Sequence, residues 1–423
     1  PSLSEQVYEL EIIESIECGI LNISNKIYML NLDVSSSGTC FTINANNITL
    51  DCNGNEISYG NQKAGYGVYS TKSNTTIQNC VIQEGDTAGA NKYGVYYSAS
   101  PMEFYLFNNS VNTSAFAIYF SGNILGGIVD NNTISSSRSY AFYAFPSTYN
   151  TKVVSFTNNK LTALNNYALM YRIQQNWLIE NNIFNSSAGI YSSGGANNAT
   201  IRDNLFQSLT FAVSTQGGIG VIDNNTIITT KGGINTAPIW LTGGNRGDRI
   251  YNNRINVTNA NGIYFSSNNV ILENNTFFIN TTSNFCTNCR GYWFAGTNIS
   301  LKNEKLVIYG NGRYQGEGTI ISSDNLNISI TNSNITSYDS FDLFFGGNLP
   351  LNGGNWNLTN VSYTDKNYSA NKGALQIWYY AKINAINATG DAISNANVTL
   401  RDSYGVYLFS ENTNAQGYTS KYL

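Results

Sequence analysis

Gly127-Ile128-Val129-Asp130-Asn131-Asn132-Thr133-Ile134 is the stretch on which the reading of this chain turns. An apolar pair, an acid, two asparagines, one further residue and an apolar residue follow one another. The phrase returns as Leu178-Ile179-Glu180-Asn181-Asn182-Ile183-Phe184 and as Val221-Ile222-Asp223-Asn224-Asn225-Thr226-Ile227. Taking the Asn two places before the apolar residue as anchor gives Asn55, Asn79, Asn109, Asn132, Asn159, Asn182, Asn204, Asn225, Asn253 and Asn275, which span 220 residues in nine steps with a mean of 24.4. Looser copies follow near Asn303, Asn332 and Asn360. A fixed period of this length is the mark of a solenoid, in which one unit closes no core until neighbours stack on it.

A second phrase, a small residue followed by an apolar and usually an aromatic one, interleaves with the first. It reads Gly67-Val68-Tyr69, Gly94-Val95-Tyr96, Ala117-Ile118-Tyr119, Ala141-Phe142-Tyr143, Gly189-Ile190-Tyr191, Gly262-Ile263-Tyr264 and Gly291-Tyr292-Trp293, with weaker forms at Ala168, Ala212 and Pro238. Each period thus carries at least two strand signals and an Asn-rich turn. Stacking lays each strand about 4.8 Å from the last, so about 13 coils make a rod on the order of 60 Å long. Asn suits the corner because it tolerates the left-handed conformation, and its amide can donate to one coil while accepting from the other. The expected fold is all-β.

Composition agrees. The 423 residues include 66 Asn, 43 Ser, 36 Thr and 30 Tyr against 5 Pro, a balance that favours strands and turns over helices. With no His at all, imidazole-assisted nucleophiles, His-ligated metals and a neutral-range histidine switch are excluded. Charged residues are 11% of the chain, with 22 basic and 26 acidic side chains, and no basic cluster points to nucleic acid. No apolar run approaches the length of a membrane span. A chain opening at Pro1 rather than Met reads as processed, its targeting segment removed.

The pattern from about Cys18 to Tyr363 resembles the right-handed parallel β-helix repeats of the pectate-lyase-like superfamily. Its opening, Cys18-Gly19-Ile20-Leu21 through Tyr28-Met29-Leu30 to Ser37-Gly38-Thr39-Cys40-Phe41-Thr42-Ile43 and Asn47-Ile48-Thr49-Leu50-Asp51-Cys52-Asn53-Gly54, resembles the first coils of β-helix modules in archaeal secreted surface proteins. That resemblance implies an extracellular or cell-surface location and a Cys18–Cys40 bridge closing the first coil. Activity varies widely on this fold.

Cys52 and Cys80 lie 28 residues apart, about one coil, a spacing that can bring them within disulfide reach. Cys286 and Cys289 form the single CxxC and are expected to bridge within their loop, having neither a redox setting nor further metal ligands. Twenty Asn-x-Ser/Thr acceptors are expected to carry N-linked glycans in many cases: Asn22, Asn47, Asn74, Asn108, Asn112, Asn131, Asn185, Asn198, Asn224, Asn256, Asn274, Asn280, Asn298, Asn327, Asn334, Asn357, Asn360, Asn367, Asn387 and Asn397. Random placement of these residue types would give about 12, and the repeat's Asn-Asn-Thr turns generate some automatically.

Enzymes on this fold use clustered aspartates, or calcium-binding acids beside a basic residue. Here Asp-Asp, Asn-Thr-Asp, Gly-His-Gly and Arg-Ile-Lys are all missing. Asp130, Glu180, Asp203, Asp223 and Glu273 are read as one file just before the anchors, with Asp203 and Asp223 as its closest unbroken pair. An acid repeated in this way is expected to cap its turn by accepting backbone N–H groups, because a catalytic pair should be singular. No catalytic residue, metal or cofactor is assigned. Strand alternation turns Tyr69, Tyr96, Tyr119, Tyr143, Tyr191, Trp240 and Tyr264 outward on one sheet, where they would stabilise the sheet or contact sugars or a neighbouring subunit.

Three segments are expected: a strand or linker over 1–17, the β-helix over 18–373, and an incomplete β-sandwich over 374–423. The last rests on Gly390-Asp391-Ala392-Ile393-Ser394-Asn395-Ala396-Asn397-Val398-Thr399-Leu400 and Thr413-Asn414-Ala415-Gln416-Gly417-Tyr418, which resemble the opening half of an Ig-like, carboxypeptidase-regulatory-like domain of about 80 to 100 residues. Val7, Tyr8, Leu10 and Ile12 alternate like an unpartnered strand that could complete the sandwich of another copy, head to tail. The functional expectation is a glycosylated, non-catalytic structural or adhesive subunit of a cell-surface assembly such as a filament. The alternatives are a polysaccharide-degrading glycosidase or lyase, or a carbohydrate-binding module for surface polysaccharide.

Overall fold

The computed structural model describes residues 16–85, 92–98, 100–144, 152–172, 176–193, 198–208, 210–217, 219–230, 236–243, 247–281, 291–294, 296–310, 321–322, 327–337, 343–345, 355–363, 366–368, 374–378, 380–401 and 404–422. The expected donor strand at Val7, Tyr8, Leu10 and Ile12 and the Cys286–Cys289 loop lie outside these residues.

Each coil lays down three short strands. In one coil, Ile124–Asp130 leads through the Asn131-Asn132 corner into Thr133–Ser136, and a tight bend leads into Phe142–Ala144. Every such strand pairs in parallel with its counterpart one coil away: Asp130 with Thr157, Thr133 with Lys160 and Tyr143 with Met170. Three parallel sheets result. Sheet 1 contains fifteen strands, from Ile27–Met29 to Ala374–Trp378. Sheet 2 follows the Asn corner, and sheet 3 follows the bend. Sheets 2 and 3 are continuous where the long strands Lys160–Arg172 and Ile183–Ser193 run across both. The chain is all-β among the described residues, and no helix there is long and apolar enough to cross a membrane.

Period-2 alternation explains the packing. In Thr133–Ser136 the side chains of Ile134 and Ser136 are buried while Thr133 and Ser135 look outward, and Met102–Phe107 alternates strictly in the same way. The inward residues form one continuous core from Leu21 to Val361. Stacked aromatics run along its inside, with Tyr97 over Phe120 at 4.7 Å and Phe184 over Phe206 at 4.7 Å. The small residue of the second phrase sits where the chain enters sheet 3, close against the adjacent coil. A Cβ on Gly67 would lie 2.5 Å from Ile82 Cγ2, and one on Gly189 would lie 2.4 Å from the Ala212 carbonyl.

Parallel pairing does not stop at residue 373. Ala374–Trp378 pairs in parallel with Asn355–Thr359 and so extends sheet 1 past the expected boundary. Beyond it, Tyr380–Asn384 pairs antiparallel with Tyr418–Tyr422, and Asn397–Arg401 pairs antiparallel with Tyr407–Asn412.

Candidate functional site

The Asn corner divides one expected role between two residues. The first Asn of each pair takes the left-handed conformation and is exposed: φ is 58° at Asn131, 57° at Asn181 and 51° at Asn224. The second is buried and carries the ladder. The Asn132 backbone N–H and Nδ2 both donate to Asn159 Oδ1 at 2.9 Å, while Nδ2 also donates to the Leu106 carbonyl at 3.0 Å. Asn159, Asn182, Asn204, Asn225 and Asn253 repeat the pattern, each handing its neighbour's amide the same oxygen.

Counting inward from the buried apolar residue corrects four anchors by one place. Asn79, Asn303, Asn332 and Asn360 are outer corner residues with positive φ. The inner places in those coils belong to Cys80, Glu304, Ser333 and Val361. Cys80 donates its N–H to Asn109 Oδ1 at 3.0 Å, and Glu304 donates its own to Ser333 Oγ at 3.1 Å. Glu304 Oε1 accepts both the N–H and Nδ2 of Asn275, at 3.0 and 2.9 Å. Its other oxygen accepts the Tyr292 hydroxyl. Burial pushes the Glu304 carboxyl up to about 7, against the pull of those donors.

The acidic file is also corrected. The register runs Asp130, Thr157, Glu180, Arg202, Asp223, Tyr251, Glu273, Lys302, so Asp203 is not in it. Asp203 occupies an outer corner with φ 57°, in the place of an Asn, and its Oδ1 accepts Asn224 Nδ2 at 2.6 Å. Asp203 and Asp223 therefore form no stacked pair. The remaining acids bond to the following coil rather than to the backbone of their own turn. Asp130 accepts Thr157 Oγ1 at 2.6 Å and Asn158 Nδ2 at 2.7 Å, and Asp223 accepts Asn252 Nδ2 at 2.9 Å. Glu180 pairs with Arg202 at 2.8 Å and Glu273 with Lys302 at 2.7 Å. Asp51 combines both modes, accepting the Asn53 N–H together with Gln78 and Asn79; burial raises its carboxyl, and these donors outweigh it and hold it below the usual range.

Cys18–Cys40 and Cys52–Cys80 are both bridged, with Cα–Cα separations of 4.5 and 4.7 Å. Of the acceptor asparagines, Asn256 is half-buried and the side chain of Asn367 is not among those described; the other eighteen are exposed. Asn108, Asn131, Asn224, Asn274 and Asn360 are outer corner residues. A second corner file, ahead of sheet 1, went unread in the sequence: Asn25, Asn47 and Asn74 stack with Nδ2-to-Oδ1 bonds of 2.7 and 2.6 Å, and Asn176, Asn269 and Asn298 share its positive φ.

All seven aromatic residues expected to face outward do so, half-buried on sheet 3, with Val68, Val95, Ile118, Phe142, Ile190 and Ile263 inside. Tyr69, Tyr96, Tyr119 and Tyr143 stack at 5.1, 5.2 and 5.3 Å. Three residues earlier stands a second file that pattern reading missed: Tyr66, Tyr93, Phe116 and Tyr140, at 5.5, 5.4 and 5.7 Å. Tyr167 and Phe211 continue it, meeting Tyr191 and Trp240, and Trp240 lies 4.1 Å from Tyr264. The signal was present in the aromatic residue one place before Gly67, Gly94, Ala117, Ala141, Ala168 and Ala212. The two files interlock, with Tyr66 5.4 Å from Tyr69. In the Tyr69 file, Tyr69 and Tyr96 and then Tyr119 and Tyr143 stack with planes 22° and 16° apart, while Tyr96 and Tyr119 are tilted by 40° and the second file includes the edge-on pair Tyr93–Phe116 at 79°. Tyr69 Oη meets Ser98 Oγ at 3.0 Å and Tyr96 Oη meets Ser121 Oγ at 2.9 Å. Burial, then repulsion from neighbouring phenols, pushes the Tyr66, Tyr93 and Tyr119 hydroxyls above their ordinary range.

Residues 147–311 match the family described as right handed beta helix region. The chain is a right-handed parallel β-helix. Residues 22–219 of this β-helix match a second family, described as periplasmic copper-binding protein (NosD). Among the described residues the side chains do not fit copper: the chain has no His, the four Cys there are bridged, and no group of three or more Cys, Asp or Glu is placed to hold a metal. No curated protein matches the sequence. Among solved structures, the β-helix is similar to the receptor binding domain of the siphovirus 9NA tailspike, at 10% identity over 96% of this chain and 84% of that one, TM-score 0.31. It is similar to a tailspike of E. coli bacteriophage HK620 at 10% identity, over 96% and 83%, TM-score 0.33. PfbA, a surface adhesin of Streptococcus pneumoniae, matches at 13% identity over 94% and 92%, TM-score 0.28.

Proposed function

We propose that this β-helix is a non-catalytic structural or adhesive subunit of an extracellular surface assembly, carrying N-linked glycans on its exposed asparagines. The observation that carries the reading is the use of the acids. Asp130, Glu180, Asp203, Asp223 and Glu273 are each bonded to a neighbouring coil, in a motif that recurs along the rod. Two bridges in the first coils suit an oxidising compartment, and eighteen exposed acceptor asparagines suit export. Carbohydrate binding is the second reading, favoured by the aromatic surface of sheet 3. It loses weight at Tyr69–Tyr96 and Tyr119–Tyr143, because stacking on a sugar needs a ring face and these rings turn faces to each other.

The test is incubation of the purified protein with acidic and neutral polysaccharides, followed by assay of new reducing ends and unsaturated products. The proposal expects none. Turnover that disappears in Asp223→Asn or Glu180→Gln would replace it with the enzyme. Glycopeptide mapping of protein taken from its native surface should find sugar on acceptor asparagines, and bare peptides throughout would remove the glycoprotein part.

A further inference from the structure

Sequence acceptors and aromatic residues divide the rod between them. Of the twenty acceptor asparagines, five (Asn112, Asn185, Asn256, Asn280, Asn334) lie on sheet 2 strands, most others sit at the two Asn corners, and none falls within the sheet 3 strands from Tyr66–Ser70 to Ile263–Phe265. The separation is close to the chemical limit, because Ser or Thr stands two places after Tyr69, Tyr96, Tyr119, Tyr191, Trp240 and Tyr264. Asn at any of these six positions would create an acceptor, in a chain with 66 Asn, yet all six are aromatic. Charge is divided the same way. From Tyr66–Ser70 to Ile263–Phe265 the described sheet 3 strands carry Arg172 as their one charged side chain, whereas one file of sheet 1 alone holds Asp130, Glu180, Arg202, Asp223, Glu273 and Lys302.

We propose that the aromatic strip of sheet 3 is a lateral docking face for a second copy of this chain, the two rods lying side by side. The proposal rests on the reading of the protein as a structural subunit and names the partner of its aromatic surface. A strip that is half-buried, aromatic, free of glycan acceptors and almost free of charge has the composition of the centre of a protein interface. Its size fits as well. From Tyr66 to Tyr264 the strip crosses nine coils, about 40 Å at the coil spacing; its outer file is broken at Met170 and Ser214 and its second file runs to Phe211, so at about 15 Å width it offers up to roughly 600 Å², approaching the ~800 Å² each partner gives a stable dimer. A second copy suits it better than an unrelated chain. Ring edges recur at the same spacing on any two copies, so two strips can interdigitate about a two-fold axis, each serving as both ridge and groove.

The test is sedimentation or light-scattering of the intact secreted protein across roughly 1–100 µM, a range that brackets a dimer of moderate affinity. The wild type should self-associate. Tyr96→Arg with Tyr119→Arg should weaken association by at least about tenfold with circular dichroism unchanged, since charge at the centre of such a face is strongly disfavoured. Asn112→Arg on sheet 2 should leave association as it was. If the double arginine variant is not secreted, Tyr96→Ser with Tyr119→Ser, which removes the rings without adding charge, takes its place. A monomeric wild type throughout the range, or association unchanged in whichever ring variant folds, overturns the proposal. Polysaccharide turnover with self-association intact would instead fail the structural reading alone and leave the interface standing.

Discussion

Asn181 and Asn182 are neighbours of one type with opposite roles. Asn181 is exposed and takes φ 57°, a backbone service that needs almost nothing of its amide. Asn182 is 1% exposed and spends its whole side chain: Oδ1 accepts the Asn159 N–H and Nδ2, while Nδ2 donates to Asn204 Oδ1 and to the Phe156 carbonyl. The outer file shapes the corner and adds exposed amide bonds between coils, as from Asn131 Nδ2 to Asn108 Oδ1 at 3.2 Å, while the inner file locks one coil to the next with buried ones. The same letter therefore predicts very different mutational costs one residue apart.

The largest effect is expected at the inner place. Asn182→Ala strands two buried donors of Asn159 and two carbonyls, so destabilisation of roughly 4 kcal/mol is expected at ~1–3 kcal/mol for each stranded group. Chemical denaturation followed by circular dichroism measures it, and a loss below about 1 kcal/mol would break the distinction between the files. Cys80 holds the inner place of its coil, where the bridge to Cys52 closes 28 residues. Its reduction should cost about 3 kcal/mol, read as faster amide exchange confined to the first coils.

Glu304 is the inner place with a pH dependence. Its carboxyl is pushed up by burial from 4.5 to about 7, so the folded state favours the protonated form. Stability from this group is fully present below about pH 4.5 and is lost as pH rises through about 7, a decline of up to roughly 3 kcal/mol. Glu304→Gln should flatten that slope and raise the denaturation midpoint near pH 8; an unchanged slope would show that Glu304 is ionised in the folded protein throughout. The smallest effects belong to the outer file. Asn181→Ala should cost about 1 kcal/mol for a left-handed residue, and Asn181→Gly within about 0.5 kcal/mol of nothing.

The period, the parallel stacking, the outward Tyr file and the left-handed Asn were legible because each leaves a repeated letter at a repeated distance. What failed was the choice between two adjacent Asn. A single letter does not say which of them faces inward, and only counting back from a buried residue such as Ile82 shows that Cys80, not Asn79, fills the inner place. The acid file slipped by one residue in the same way at Asp203. The second aromatic file and the Asn25–Asn47–Asn74 corner escaped because the flanking phrases were read only in one direction from the small residue and the anchor. Glu304 was invisible as a ladder member because a carboxylate replaces the amide there, and shared register rather than residue type identifies it.

The central claim, that successive coils stack with like residues in file, has one direct measurement: oxidative cross-linking of paired cysteines on the outside of sheet 2. Thr133 is opposite Lys160. Thr133→Cys with Lys160→Cys should close a disulfide nearly completely, the Cα atoms being about 4.8 Å apart. Thr133→Cys with Thr162→Cys, two residues out of register at about 8 Å, should stay open. Equal yields from the two pairs, or closure of the second alone, would contradict the stacking on which the account is built.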